Sequence, residues 1–169
     1  TRLSPGGTAP SARHGHTAIY DPLRDRMVVF GGMAAATTYL NDVWTLSLAD
    51  TSGWRRMTTS GWPSARYDHS AIYDPVRDRM LVFGGEYGAE RNDVWALPLT
   101  GNPNWTELTP ASSPGGRWRH SAVYDPAGHR MVVFGGYAGA YLDDVWALSL
   151  GDTPAWTALA PAGPPPGQR

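Results

Sequence analysis

Cysteine is absent from the 169 residues, which excludes a disulfide framework, a thiolate zinc site and a thiol nucleophile. The same absence leaves the redox compartment open, and the localisation with it. Lysine is absent as well: all basic charge comes from 14 arginines, against 15 acidic residues, for a net charge of -1. A nucleic-acid or membrane-surface binder carries a basic excess, so neither partner is expected. No apolar run approaches the ~18 residues of a spanning helix, and the opening residues lack the basic-then-apolar layout of a signal peptide. Charged residues make up only 17% of the chain, against the usual ~25%. Turn-formers are plentiful instead, with 20 Gly and 15 Pro, and 41% hydrophobic residues suffice for the core of one domain.

Internal repetition organises what is there. Tyr20-Asp21-Pro22 recurs as Tyr73-Asp74-Pro75 and Tyr124-Asp125-Pro126. Phe30-Gly31-Gly32 recurs as Phe83-Gly84-Gly85 and Phe134-Gly135-Gly136, and Asp42-Val43-Trp44 as Asp93-Val94-Trp95 and Asp144-Val145-Trp146. A second tryptophan follows each time, as Trp54, Trp105 and Trp156, at spacings of 51 and 51 residues. The first Gly-Gly spacing is 53 instead, because the first unit carries two extra residues between Gly32 and Asn41. A loop absorbs such an insertion, whereas a strand in register does not.

Each unit reads as four short strands. The first is His16–Tyr20, followed by an Asp-Pro turn in which proline pre-sets φ. Met27–Phe30 is apolar on both faces and must be covered on both. The glycine pair is expected to end that strand where a positive φ or a close backbone approach is needed. Val43–Leu48 alternates, with Trp44, Leu46 and Leu48 on one face, and Trp54–Met57 closes the unit. No segment carries a helical period, so the fold class is all-β.

Four strands per unit of about 50 residues, with Gly-Gly and two spaced tryptophans, resembles the kelch repeat of β-propellers. The signature runs Arg-x-x-His-(Ser/Thr)-Ala-x-Tyr-Asp, then Met-(Val/Leu)-Val-Phe-Gly-Gly, then Asp-Val-Trp, then Trp-x-x-(Leu/Met), three times over essentially the whole chain. Its marker positions are Gly31, Gly32, Trp44, Trp54, Gly84, Gly85, Trp95, Trp105, Gly135, Gly136, Trp146 and Trp156. The WD40 repeat fits poorly, since its period is about 40–45 and each Asp-Val-Trp tryptophan here precedes Thr or Ala rather than Asp.

The resemblance implies three four-stranded antiparallel blades: 13–57, 58–108 and 109–159. Residues 1–12 are expected to be the cut end of a preceding blade with its linker, and 160–169 a Pro-rich linker toward a missing one. Propellers close with about four to eight blades, so three form half of a six-bladed ring or a segment of a longer array. With ~6 large apolar side chains per bare face at roughly 1.5–3 kcal/mol each, covering one junction yields ~9–18 kcal/mol. Association costs ~4–15 kcal/mol. A homodimer that forms two junctions at once is therefore expected, or else the remaining blades of a longer chain.

In an antiparallel meander the loop entering strand one and the loop joining strands two and three share one end. There the repeats diverge: His14-Gly15, Tyr67-Asp68 and Trp118-Arg119 follow Arg13, Arg66 and Arg117. The loops Met33–Leu40, Glu86–Arg91 and Tyr137–Leu142 lie beside them, while the Asp-Pro end is near-identical in the first two repeats. Arg13, His14, Arg66, Tyr67, Asp68, Arg117, Trp118 and Arg119 are therefore the candidate ligand-binding set, because loops on a rigid scaffold carry recognition. The family resemblance implies peptide or protein partners at this end, here of acidic or aromatic character. The alternative for Trp118, and for the out-of-register Trp62, is that they merely cover the rim. The three arginines either present guanidinium forks to carboxylates around the channel or staple each loop to a neighbouring blade. Their perfect repetition favours the staple. His16, His69 and His120 read as structural, and Asp42, Asp93 and Asp144 as loop-anchoring acceptors.

No catalytic constellation, metal site or cofactor site emerges. Among kelch-like enzymes, the galactose-oxidase type requires a Tyr–Cys crosslink that this chain cannot form. The iron-binding run of the plant specifier proteins is missing around Glu86, Glu90 and Glu107. A non-enzymatic binding or assembly scaffold is expected; the alternative is an excised segment of a larger kelch-type sugar isomerase or oxidase.

Overall fold

A computed structural model describes residues 5–35, 37–49, 53–160 and 162–163. Much of the expected N-terminal and C-terminal linkers (1–4, 161 and 164–169) lies outside the described residues. Twelve strands form three four-stranded antiparallel sheets, each a simple meander, and no helix occurs among the described residues. The first sheet holds β1 (Thr17–Asp21), β2 (Arg26–Ala34), β3 (Thr38–Ser47) and β4 (Trp54–Met57). The second holds β5 (Ser70–Asp74), β6 (Arg79–Phe83), β7 (Val94–Pro98) and β8 (Thr106–Leu108). The third holds β9 (Ser121–Asp125), β10 (Arg130–Tyr137), β11 (Tyr141–Ser149) and β12 (Trp156–Leu159). β1 packs beside β5 and β5 beside β9, so the opening strands line a common axis and the sheets fan outward as propeller blades.

The core lies between blades, as strands apolar on both faces require. Ile19, Val28, Phe30 and Val43 of blade one meet Met80, Val82, Leu97, Leu99 and Trp105 of blade two. The opposite face of blade two, through Ile72, Leu81, Phe83, Val94 and Ala96, meets Met131, Val133, Leu148, Leu150 and Trp156 of blade three. Successive residues of β6 therefore serve two different junctions, which is why it shows no polar face.

The glycine pair departs from expectation. In blades one and three the strand runs past it, and the register shifts between Phe30 and Gly32 and between Phe134 and Gly136. In those two blades the pair is a β-bulge, whereas in blade two β6 ends at Phe83, directly before Gly84-Gly85, as expected. Gly32, Gly85 and Gly136 take φ of 95°, 95° and 103°. A Cβ at Gly85 would stand 2.8 Å from the His69 Cβ and 2.9 Å from the Tyr67 carbonyl. Side-chain-free backbone is needed there because the loop entering strand one crosses the bulge: His14 pairs with Met33, Tyr67 with Glu86 and Trp118 with Tyr137.

The Asp-Pro end of the first two blades is held by buried carboxylates. Asp21 and Asp74 are fully buried; Asp21 takes the Arg26 Nε at 2.8 Å and Asp74 the Arg79 Nε at 2.9 Å. Arg24 also forks onto Asp78 of the next blade. In blade three, Gly128 and His129 stand where the earlier blades have this Arg and Asp, and His129 meets Asp74 at 3.3 Å instead.

Candidate functional site

The three register-matched arginines are consumed inside the fold. The Arg66 guanidinium makes five hydrogen bonds: to the Ser64 carbonyl (3.2 Å) and hydroxyl (3.3 Å), the Gly84 carbonyl (2.9 Å) and both Asp93 oxygens (2.6 and 2.7 Å). Arg13 repeats the pattern on Gly31 and Asp42, and Arg117 on Gly135 and Asp144. A tryptophan completes each set, its indole N–H donating to the same carboxylate: Trp44 to Asp42 at 2.6 Å, Trp95 to Asp93 at 2.8 Å and Trp146 to Asp144 at 2.7 Å. Burial pushes Asp93 up, but the hydrogen bonds from Arg66 and Trp95 outweigh it and hold the carboxyl below its ordinary range. These forks therefore do not form a ligand ring. The staple also differs in direction from the expectation. The guanidinium ties its own blade, while the backbone of the same residue reaches the preceding one: Arg66 N–H donates to the Leu40 carbonyl at 3.1 Å and its carbonyl accepts from Gly32 at 2.9 Å.

The two buried histidines are latches between blades. The His69 Nε2 lies 2.8 Å from the Thr17 hydroxyl, and the His120 Nε2 lies 2.8 Å from the Ser70 hydroxyl. Burial, with the nearby Arg66 or Arg117, pushes His69 down to about 3 and His120 to about 4. Both rings are neutral at physiological pH. Among the described residues no group of three or more His, Asp or Glu side chains is placed to hold a metal ion.

What the variable end does present is a chain of aromatic rings. Tyr87 and Tyr39 have centroids 4.9 Å apart, Tyr39 and Tyr67 5.5 Å, and Tyr67 and Trp118 6.0 Å. Trp118 and Tyr137 follow at 5.5 Å, and Tyr137 and Tyr141 at 5.3 Å, so the rings cross all three blades without a break. His14 joins at Tyr67, at 6.3 Å. Tyr87 and Tyr141 are exposed, and the rings between them are half-buried. Arg119 lies over Trp118 at 4.3 Å and donates to Asp68 at 2.9 Å, binding blade three to blade two at the surface. Of the eight sequence candidates, His14, Tyr67, Asp68, Trp118 and Arg119 are thus brought together at the rim. Arg13, Arg66 and Arg117 lie beneath them. Trp62 is exposed and belongs to none of these ring pairs. Tyr39, Tyr87, Tyr137 and Tyr141 were not distinguishable individually within their loops. The available signal was an aromatic residue in each loop that follows a Gly-Gly pair.

The model of the KLHDC2/KLHL20/DRC7 Kelch-repeats domain matches residues 1–169. Adagio-like protein 1 of Oryza sativa subsp. japonica is 31% identical over 173 residues, which cover 98% of this chain and 26% of that protein. Host cell factor 1 of Homo sapiens is 31% identical over 159 residues, covering 82% of this chain and 7% of that protein. Among solved structures, YjhT superposes with a TM-score of 0.69 at 15% identity over 93% of this chain and 48% of its own, a likeness of fold. The chain thus spans about a quarter or less of those two relatives and about half of the YjhT chain. A match that runs through all three blades, on the sheet order and bulged glycine pairs described above, makes the chain a member of the kelch-repeat domain family.

Proposed function

We propose that the chain is a non-enzymatic scaffold that binds a protein or peptide across the variable end of its blades. The observation that carries this reading is the unbroken series of rings from Tyr87 to Tyr141, set on loops that the Arg–Asp–Trp sets hold in place. Tyrosine and tryptophan supply large contact area at low conformational cost, and they dominate binding energy where proteins meet. Peptides selected from a random display library on the chain should lose binding when Tyr87, Trp118 and Tyr141 are replaced by alanine, with the melting temperature little changed. Retained binding would place the recognition surface elsewhere.

We further propose that a second copy completes the ring, giving six blades. Phe134 is 36% exposed where Phe30 and Phe83 are fully buried, and Val123 is 60% exposed where Ile19 and Ile72 are buried. On the opposite flank, Leu48 is 41% exposed where Leu99 and Leu150 are buried. The bare flanks also hold the two halves of the inter-blade latch: Ser121, matching Thr17 and Ser70, on blade three, and the exposed His16 on blade one. The remaining blades of a longer chain would supply the same contacts. Light scattering separates the two: a mass twice 18.3 kDa, falling to the monomer in Phe134→Arg, supports the dimer, and a monomer at micromolar concentration excludes it.

A further inference from the structure

Trp118 and Tyr67 occupy the same place in successive blades, yet their surroundings differ in one respect. Trp118 has a cation of its own, since the Arg119 guanidinium lies 4.3 Å from its ring centroid and its Nε donates to the Asp68 carboxylate at 2.9 Å. An aromatic face and a carboxylate together hold an arginine there, the ring through its quadrupole and the acid through charge. The residue after Tyr67 is Asp68, so no guanidinium follows it.

The other ingredients are present at Tyr67, and in larger number. Tyr39 approaches it to 5.5 Å with the rings inclined at 59°, and Tyr87 meets Tyr39 at 4.9 Å and 78°, so Tyr39 bridges the other two rings and the three are inclined to one another. Glu86 is tied to Tyr67 by two backbone hydrogen bonds, of 3.0 and 3.2 Å, which set the two residues directly opposite each other. Burial, and next the Glu86 carboxylate, push the Tyr67 hydroxyl up to about 12. Glu90 pairs with Glu86 across the same loop. Neither glutamate belongs to an ion pair among the described residues, and the charge of the adjacent Arg91 is felt at Asp93.

We propose that Tyr39, Tyr67 and Tyr87 with Glu86 receive the cationic side chain of a partner, an arginine or lysine of a basic peptide segment. This rests on the scaffold reading above and reverses the acidic partner expected from Arg13, Arg66 and Arg117, whose forks are already engaged. The arginine held on Trp118 by Asp68 is the internal template for the site on Tyr67.

The test titrates the whole chain with blocked glycyl-arginyl-glycine and glycyl-lysyl-glycine amides, and with the glutamyl counterpart, following the tyrosine ring resonances by NMR. Saturable shifts centred on Tyr39, Tyr67 and Tyr87 are expected with the cationic peptides and none with the acidic one. Glu86→Gln and Tyr87→Leu should each weaken the cationic peptides about five- to tenfold, with unfolding midpoints unchanged. Equal or tighter binding of the glutamyl peptide, no saturable shift with either cation, or an unaltered affinity in Glu86→Gln would overturn the proposal. If only the acidic peptide moves the aromatic series, the scaffold reading stands and this inference falls. If selected peptides bind independently of Tyr87, Trp118 and Tyr141, the scaffold reading itself fails.

Discussion

Replacing Asp93 by alanine isolates the contribution of burial to an ion pair, because the molecule contains its own control. Arg66 is completely buried and meets Asp93 at 2.6 and 2.7 Å; Arg119 is two-thirds exposed and meets Asp68 at 2.9 Å. The inner contact is bidentate and buried, and the outer one is a single Nε bond at the surface. Asp93→Ala leaves a guanidinium without a counter-charge inside the fold and an indole N–H of Trp95 without its acceptor. The loss is expected to be about 3–5 kcal/mol, the range for orphaning one member of a buried pair. Asp68→Ala removes an exposed pair and should cost about 0–1 kcal/mol. At roughly 2–4 °C per kcal/mol for a domain of this size, the melting temperatures should fall by about 6–20 °C and by less than about 4 °C. Urea titration followed by tryptophan fluorescence reads both, with protein concentration held fixed so that any association contributes equally. Combining Arg66→Met with Asp93→Leu should recover part of the loss, since removing both charges also removes their desolvation. An Asp93→Ala penalty no greater than that of Asp68→Ala would refute the claim that the inner arginines are structural staples.

Acidification should destabilise the blade junctions. The unfolded chain binds a proton at each histidine near the ordinary 6.5, whereas folded His69 and His120 resist until about 3 and about 4. Stability from these residues is therefore complete above about pH 6.5 and declines as pH falls toward the folded values, by ~2 kcal/mol per histidine at about pH 5. Urea midpoints measured across that range check the slope, and His69→Gln should flatten it. Gly85→Ala meets backbone and the His69 Cβ within 3 Å, whereas Gly88→Ala, also at positive φ, meets open space. The first should cost at least about 2 kcal/mol and the second about 1 kcal/mol in the same assay.

The blades were legible because each is short, local and repeated: strand, Asp-Pro turn, apolar strand and alternating strand recur with a period that only stacking can satisfy. The roles of the glycine pair and the arginines were only half legible. Phe30-Gly31-Gly32 announces unusual backbone, but whether the chain stops or bulges depends on what crosses it, and Tyr67 and His69 cross Gly85 from the adjacent loop. Arg66 and Asp93 lie 27 residues apart, and only the fold brings them together. Repetition favoured a staple, yet it could not say that side chain and backbone of one residue bind different blades. The aromatic series was less legible still. Tyr39 and Tyr141 share one repeat position, three residues before Asp42 and Asp144, but blade two has Glu90 there and Tyr87 stands elsewhere in its loop, so the period does not mark the series as a whole, and its continuity depends on how the blades turn about the axis.

This contrast explains where the chain can change. A feature that recurs in every blade, such as Arg13, Arg66 and Arg117 on their aspartates, satisfies a demand that every blade makes: an entering loop must be pinned over a bulge that tolerates no side chain. Once that pin is set beneath the surface, the next residue outward holds the loop through its backbone alone, and its side chain is not part of the pin. His14, Tyr67 and Trp118 occupy that outward position and share no chemistry beyond an aromatic ring, and Gly15, Asp68 and Arg119 beyond them share only a positive φ, of 61°, 53° and 56°. The backbone there is constant while the side chains range from none to carboxylate to guanidinium. On the proposed reading, a surface built this way could change its ligand without changing its fold, because the candidate recognition residues sit one position away from those that pin the loop.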